Sequence, residues 1–239
     1  VSSNTVYDLA SITKVLATTQ AVMFLASRDI IDMDKPISRY LPELKLTNKG
    51  DLILKDIMAH EAGLVAFIPY YVNTLASGSW KNDYYREAAM DEFVVPISND
   101  MFGKQSLRDS IWNWTIKSDL RKPDPNRRKY SYVYSDLTMY LMQAVVERLT
   151  NQPMDEFMDQ NFYTPLGLHS MTFNPLNKMS IDRIAPTEDD VAFRKRLVQG
   201  FVHDPGAAMY GGVAGHAGLF GTANDLAVMM QLMLNKGSY

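Results

Sequence analysis

The sequence predicts a mainly helical fold, and three observations carry that expectation. Residues Val15 through Leu25 are apolar or small with little interruption, the composition of a helix enclosed by its own domain. From Ser135 to about Thr150, Leu137, Leu141, Ala144, Val145 and Arg148 recur at helical spacing. Near the end, Thr222 is a good N-cap with Asp225 three residues on, apolar residues recur to Leu234, and Gly237 follows as a stop. Alternating strand patterns are scarce between these segments.

The remaining elements follow in chain order. "SRDIIDMDKPISRYLPEL" (27–44) reads as a polar turn, a short extended piece and a proline-stopped loop. "LILKDIMAHEAGL" (52–64) gives a short helix that Gly63 is placed to cap. Residues 65–105 are aromatic and without clear period, the mark of a functional loop, an insertion, or rings laid on a neighbouring helix. "SLRDSIWNWTI" (106–116) is a helix followed by a loop whose basic triplet, Arg127, Arg128 and Lys129, reads as a solvated stretch. "MDEFMDQNFYTPLGL" (154–168) is another short helix, ended by Pro165 and Gly167.

Composition narrows the function. The 239 residues allow one large domain or two small ones, their 46% hydrophobic content supports a substantial core, and a net charge of -3 gives no reason to expect nucleic acid. Charges interrupt every apolar run before the ~20 residues a membrane span needs. With no cysteine, the chain has neither disulfides nor a thiol nucleophile, and its 15 methionines sit at core spacing. The start lacks an initiator methionine or signal peptide and "NKGSY" closes no element, so the chain reads as an excised piece.

The chemistry centres on "SITK". Ser11 and Lys14, three residues apart on a helix start, share one face, with the amine in reach of the hydroxyl. A serine hydroxyl is a poor nucleophile until a base stands beside it, and the Ser11 N–H at the helix start suits an oxyanion. A second cluster, "YSD", places Tyr134 and Asp136 at another helix start. His60 reads as a helix-end residue with a satisfied hydrogen bond. His203-Asp204 lacks a third ligand at matching spacing, and no metal or cofactor is expected.

Taken in order, "SITK" and "YSD", with "IMAHEAGL", "FYTPLGL" and "GHAGLFGTANDLAVMMQLML", resemble the serine β-lactamase and penicillin-binding-protein superfamily, in its branch of class C-like β-lactamases, DD-peptidases and esterases. The resemblance spans nearly all of residues 1–239, read as a single domain. It implies Ser11 as the acyl-accepting nucleophile, Lys14 as its proton-handling partner and Tyr134 as general base or acid, with Asp136, His216 and Gly218 toward the substrate. Asp136 departs from the asparagine common in this branch, which puts preference for β-lactams and peptide amides in doubt. His216-Ala217-Gly218 resembles the family's third motif, but its place before the late helix makes His216 a residue of the site's rim and puts the true motif beyond Tyr239.

The implied fold is thus a mainly α fragment of the α+β transpeptidase-like fold, with sheet strands missing from both ends and weak activity as it stands. The implied function is a serine hydrolase acting on ester or amide substrates derived from cell-wall material, in the periplasm or another extracytoplasmic space. The stretch from "IAPTEDD" to "GHAGLF" further resembles a subgroup in which this domain follows a β-N-acetylglucosaminidase-type glycosidase, a candidate neighbouring domain. Two rivals are a noncatalytic accessory domain binding peptidoglycan fragments or that neighbour, and a purely structural helical domain.

Overall fold

Two apolar clusters organise the protein, and one helix serves both. The computed structural model describes residues 2–123 and 130–238, so the basic triplet Arg127, Arg128 and Lys129 lies outside the described residues. Strand β1 (Tyr7–Asp8) leads to a helical segment whose first part, Lys14–Thr19, is a wide π turn and whose continuation is α1 (Gln20–Ala26). Short 3₁₀ turns at Ile37–Arg39 and Pro42–Leu44 precede α2 (Leu54–Met58). Strands β2 (Leu75–Ala76) and β3 (Ser79–Trp80) pair as a hairpin, and β4 (Tyr85–Arg86), β5 (Phe93–Ser98) and β6 (Met101–Lys104) form a sheet in the order β4-β6-β5.

Helices then take over: α3 (Leu107–Lys117), α4 (Asp136–Thr150) and α5 (Met154–Met158), the last running into a second π turn at Asp159–Tyr163. Strands β7 (Thr172–Phe173), β8 (Glu188–Asp190) and β9 (Arg196–Val198) follow, then α6 (Pro205–Met209), β10 (Leu219–Gly221) and α7 (Ala223–Leu234). Strand β10 lies between β1 and β7, antiparallel to both, with Tyr7 opposite Gly221 and Phe220 opposite Thr172. Among the described residues no helix is long and apolar enough to cross a membrane.

Helix α4 gives Leu137, Leu141, Met142, Val145 and Val146 to the larger cluster, where Leu16, Ala17 and Ala21 of the first helical segment also pack. Its Tyr140 points the other way, into the second cluster with Tyr85, Phe193 and Tyr210. The first helical segment and α4 are therefore held side by side by one continuous apolar seam, which fixes the separation of whatever stands at their N-terminal ends.

Helices carry most of the larger core, as the periodicity predicts, and the capping box of α7 forms as expected: the Thr222 hydroxyl accepts from the Asp225 amide, and the Asp225 carboxylate accepts from the Thr222 amide at 2.8 Å. The expectation of scarce strands needs correcting over residues 65–105, where β2 to β6 lie. Their signal is hidden because most are two residues long and β5 shifts register at Phe93/Val95 and again at Pro96/Ser98, which breaks the period-two pattern. The aromatics there pack mainly on one another and on Phe193, with Tyr85 and Phe193 centroids 5.6 Å apart. The cap of α2 also differs. His60, at φ 59°, takes the left-handed position after the helix, while Gly63, at φ 80°, leaves room for the Tyr130 ring, whose atoms lie 2.7 Å from where a Cβ would stand.

Replacing Thr222 with alanine removes the acceptor for the Asp225 amide and is expected to lower stability by about 1 kcal/mol. A urea titration with unchanged slope and a lower midpoint is the expected reading.

Candidate active site

The turn before Ser11 is built by a carboxylate. Asp8 Oδ1 accepts from the Ala10 amide at 2.8 Å, and Ala10 adopts a left-handed φ of 43°, a conformation that a non-glycine residue holds only when its surroundings enforce it. The amide of Leu9 donates to Leu219 of β10 at 2.9 Å, and the amides of Ile12, Thr13 and Lys14 then donate back to Leu9, Ala10 and Ser11. Ser11 thus stands exposed at the first turn, and its own N–H enters no such bond among the described residues. The second Asp8 oxygen accepts from the His203 amide at 2.6 Å, which ties this turn to the segment leading into α6. Burial pushes the Asp8 carboxyl above its ordinary 3.8, against the pull of the His203 and Ala10 amides.

Lys14 is buried, with 2% of its surface exposed. Its Nζ lies 2.8 Å from Ser11 Oγ, 2.7 Å from Asp136 Oδ1 and 3.3 Å from the His216 carbonyl oxygen, so three N–H groups meet three acceptors. The ring of Tyr134 covers the fourth side, its centroid 4.7 Å from Nζ. Asp136 is the first residue of α4, where a helix N-terminus favours a carboxylate. The Tyr134 ring leans on His60 at 5.0 Å, and His60 Nδ1 accepts from the Ser135 amide at 3.1 Å, so the satisfied helix-end histidine also backs the tyrosine.

The carbonyl facing Lys14 is set by a tightly stitched loop. Thr18 donates its hydroxyl to the Gly215 carbonyl at 2.7 Å, Gln143 accepts from the Gly215 amide at 2.8 Å, and Gln143 Nε2 donates to the Val213 carbonyl at 3.0 Å. A side chain at Gly215 has no room, since a Cβ there would lie 2.4 Å from the Met139 carbonyl oxygen. The π turn opens the helix for this contact, with Thr19 donating its hydroxyl to the Lys14 carbonyl at 2.7 Å.

Beside Lys14 lies a cavity of about 190 Å³, lined by Asp136, Asp204, Tyr140 and His216 and by the rings of Phe67, Tyr70 and Tyr71. Asp204 caps α6, accepting from the Ala207 amide at 2.7 Å, and the same oxygen faces His216 Nε2 at 2.9 Å. The segment before it is fixed by the buried Arg194, which donates to the carbonyls of Val202 and His203 at 2.8 and 3.0 Å. Burial pushes the Asp204 carboxyl up, but the charge and hydrogen bond of His216 and the Ala207 amide outweigh it and hold the group below its ordinary 3.8. Donor atoms of Asp136, Asp204 and His216 lie within 4.8 Å of one another, the one set of three among the described residues that a metal ion could use. In this structure Asp136 is engaged by Lys14, and Asp204 by His216. His203, paired with Asp204 in the sequence, turns instead to Glu188 at 3.2 Å.

The structure brings Ser11, Lys14, Tyr134, Asp136 and His216 together. His216 does not sit on the rim as expected: it is 3% exposed and forms the floor, because the Gly215 loop is drawn under the helix. Gly218, expected to face the substrate, is buried behind the site, and at φ 113° it lies so close to Gly212 that a Cβ would stand 2.2 Å from that carbonyl oxygen. It shapes the approach to β10 and does not line the cavity. Sequence reasoning missed Asp8 and Tyr140, and weighed Asp204 only beside His203, setting it aside for want of a third ligand. The legible signal for Asp204 was its place before Pro205-Gly206 as an N-cap.

A serine whose hydroxyl meets a buried lysine one turn on stands here beside a tyrosine and a carboxylate from a second helix start, on an α+β scaffold. The chain belongs to the beta-lactamase family, whose model matches residues 1–239. It is 34% identical over 257 residues to an N-acetylmuramyl-L-alanine amidase of Bacillus subtilis, covering 99% of this chain and 52% of that protein. It is 32% identical over 256 residues to a putative D-alanyl-D-alanine carboxypeptidase of Salmonella agona, covering 100% of this chain and 53% of the other. The chain therefore spans about half the length of these relatives. Among solved structures, a beta-lactamase/D-alanine carboxypeptidase from Pseudomonas syringae shares the fold with a TM-score of 0.67 at 19% identity, over 100% of this chain and 54% of that one.

Two outcomes test this geometry. Gly215→Ala is expected to push the loop off the Met139 carbonyl, costing about 2 kcal/mol of stability, and to weaken the Lys14 contact with the His216 carbonyl, read as a lower denaturation midpoint with slower labelling of Ser11. The depressed Asp204 carboxyl contributes stability above about pH 4 that is lost as the pH falls further. The stability gap between the wild type and Asp204→Asn should therefore shrink as the pH falls below about 4, and a gap unchanged there would show that the carboxylate is not held ionised.

Proposed function

We propose that this protein is a serine hydrolase that forms an acyl-enzyme at Ser11. The observation that carries the reading is the 2.8 Å contact of Lys14 Nζ with Ser11 Oγ, made by a lysine whose other partners fix it in place. Ser11 Oγ attacks the carbonyl carbon of an ester or amide, and its proton passes to Lys14 Nζ, which acts as the base after it has first released a proton to solvent. Asp136, 2.7 Å away, stabilises the ammonium that results. The Ser11 N–H donates to the oxyanion. Collapse of the tetrahedral intermediate expels the alcohol or amine, which takes up a proton relayed through Lys14 or the Tyr134 hydroxyl. Water then cleaves the ester, and the proton returns to Ser11.

The substrates in this reading are amide or ester groups of cell-wall-derived material. The names of the two relatives, an amidase of N-acetylmuramyl-L-alanine and a putative D-alanyl-D-alanine carboxypeptidase, support that class, and an extracytoplasmic location goes with it. Asp136 adds a constraint. A carboxylate accepts hydrogen bonds and cannot donate them, so the position suits a substrate group that donates.

A fluorophosphonate probe followed by mass spectrometry of the labelled peptide tests the assignment. Ser11 is expected to carry the label, and Ser11→Ala to abolish it, whereas labelling elsewhere or persistent labelling removes Ser11 from the role. Lys14→Ala and Tyr134→Phe are each expected to slow acylation by at least ~100-fold, the scale of a positioned proton-transfer group.

A further inference from the structure

We infer that the cavity beside Lys14 is a subsite for a cationic amine, so that the favoured substrate carries a free primary ammonium group on an apolar or aromatic arm close to the scissile carbonyl. The inference rests on the hydrolase reading for the word substrate, but the binding site stands on its own geometry. Two carboxylates line the cavity, and each has one oxygen already occupied. Asp136 Oδ1 faces Lys14, and Asp204 Oδ1 takes both the His216 ring and the Ala207 amide. Among the described residues, no hydrogen bond or ion pair engages the Oδ2 atom of either. Lys14 offsets the charge of Asp136, and His216 with the Ala207 amide meets that of Asp204, so each carboxylate keeps one oxygen open to a further donor.

A second observation points to a ligand. Tyr140 is 1% exposed and lines the cavity, yet its hydroxyl is buried with no hydrogen-bond partner. It lies 2.9 Å from where a Cβ on Gly206 would stand, and both residues line the same wall. His216 Nδ1, on the floor, is likewise buried and unpartnered. Buried polar atoms without partners are costly, and an ordered ligand that supplies the missing donor removes the penalty. Tyr140, whose phenol burial holds well above its ordinary range, stays protonated and can accept from an ammonium through its oxygen.

The walls say what kind of cation fits. Tyr70 spends its hydroxyl on Thr115 at 2.6 Å and offers the cavity its ring, as do Phe67 and Tyr71. Rings beside carboxylates suit an organic ammonium, through cation–π contact and burial of its carbon arm, better than a hydrated metal ion. One ligand atom from each of Asp136, Asp204 and His216 lies within 4.8 Å of the other two, so a small cation seated in the cavity reaches both carboxylate groups. A metal would instead have to break the contact between His216 Nε2 and Asp204 at 2.9 Å. The cavity, at about 190 Å³, accommodates an amine with an arm the size of one amino-acid side chain.

The test is a calorimetric or NMR titration of benzylammonium chloride, with benzyl alcohol as its uncharged counterpart, on the wild type and on Ser11→Ala. Both proteins are expected to bind the ammonium at least ~10-fold more tightly than the alcohol, the scale of a charge-assisted hydrogen bond. Asp204→Asn should remove most of that preference, and Tyr140→Phe should weaken the ammonium by ~5-fold while leaving the alcohol near its wild-type value. Equal affinity for ammonium and alcohol overturns the proposal. So does saturable binding of zinc or manganese that displaces benzylammonium, which would make the cluster a metal site. Failure here with Ser11 still labelled by the fluorophosphonate would sink the subsite and leave the hydrolase reading standing. Binding without labelling would do the reverse.

Discussion

The arrangement around Lys14 depends on one constraint: an ammonium group taken out of water must meet an acceptor with every N–H it has. Its three acceptors come from three places far apart in the chain, the turn at Ser11, the start of α4 at Asp136 and the loop at His216. Removing any one leaves a buried charge short of a partner. The lysine therefore ties the local structure to the proposed chemistry: the contact that would align Ser11 for attack is one of those that make burial of the charge tolerable.

Around that centre the protein uses carboxylates and small residues as fasteners. Asp8 clamps the nucleophile turn to the segment before α6, and Asp204 begins α6 while turning to His216, so the two acids couple the N-terminal turn to the cavity floor. Gly215 lets the loop pass within touching distance of the α4 backbone. These pieces sit on turns and helix ends, while the apolar faces of α1 and α4 supply the rigid backing. That division is the usual one between a packed scaffold and the polar ends it presents.

Much of this was legible in the sequence because it follows local rules. Ser11 and Lys14 declare themselves by spacing, Tyr134 and Asp136 by their place before an apolar helix, and α7 by its capping box. What stayed hidden has physical reasons. His216 meets Lys14 through its backbone carbonyl, and a backbone contact leaves no mark on residue type. Tyr140 lies on α4 among core positions, so its hydroxyl reads as incidental to packing. Asp204 finds its histidine twelve positions further on across a turn, a distance that no helical or strand period encodes. The strands between 75 and 104 are short and bulged, and their aromatic content is equally that of a packed loop.

The π turn at Lys14–Thr19 also changes how the first helical segment tolerates length changes. Such a turn accommodates one residue more than an α-helix would, so it acts as a phase adjuster between two ends that answer to different demands. Beyond it, Ala21, Val22 and Leu25 must face the core, while before it Lys14 must face the His216 carbonyl. A deletion of one residue within the turn would let a regular helix form with both ends still in phase, because the wide turn holds its extra residue without the rotation of about 100° that the residue would cause in a regular helix. The backbone would gain regularity and lose the wide turn in which the Thr19 hydroxyl meets the Lys14 carbonyl. Related chains that carry the same serine–lysine spacing on a helix without the wide turn should therefore begin their apolar stripe one residue nearer the lysine.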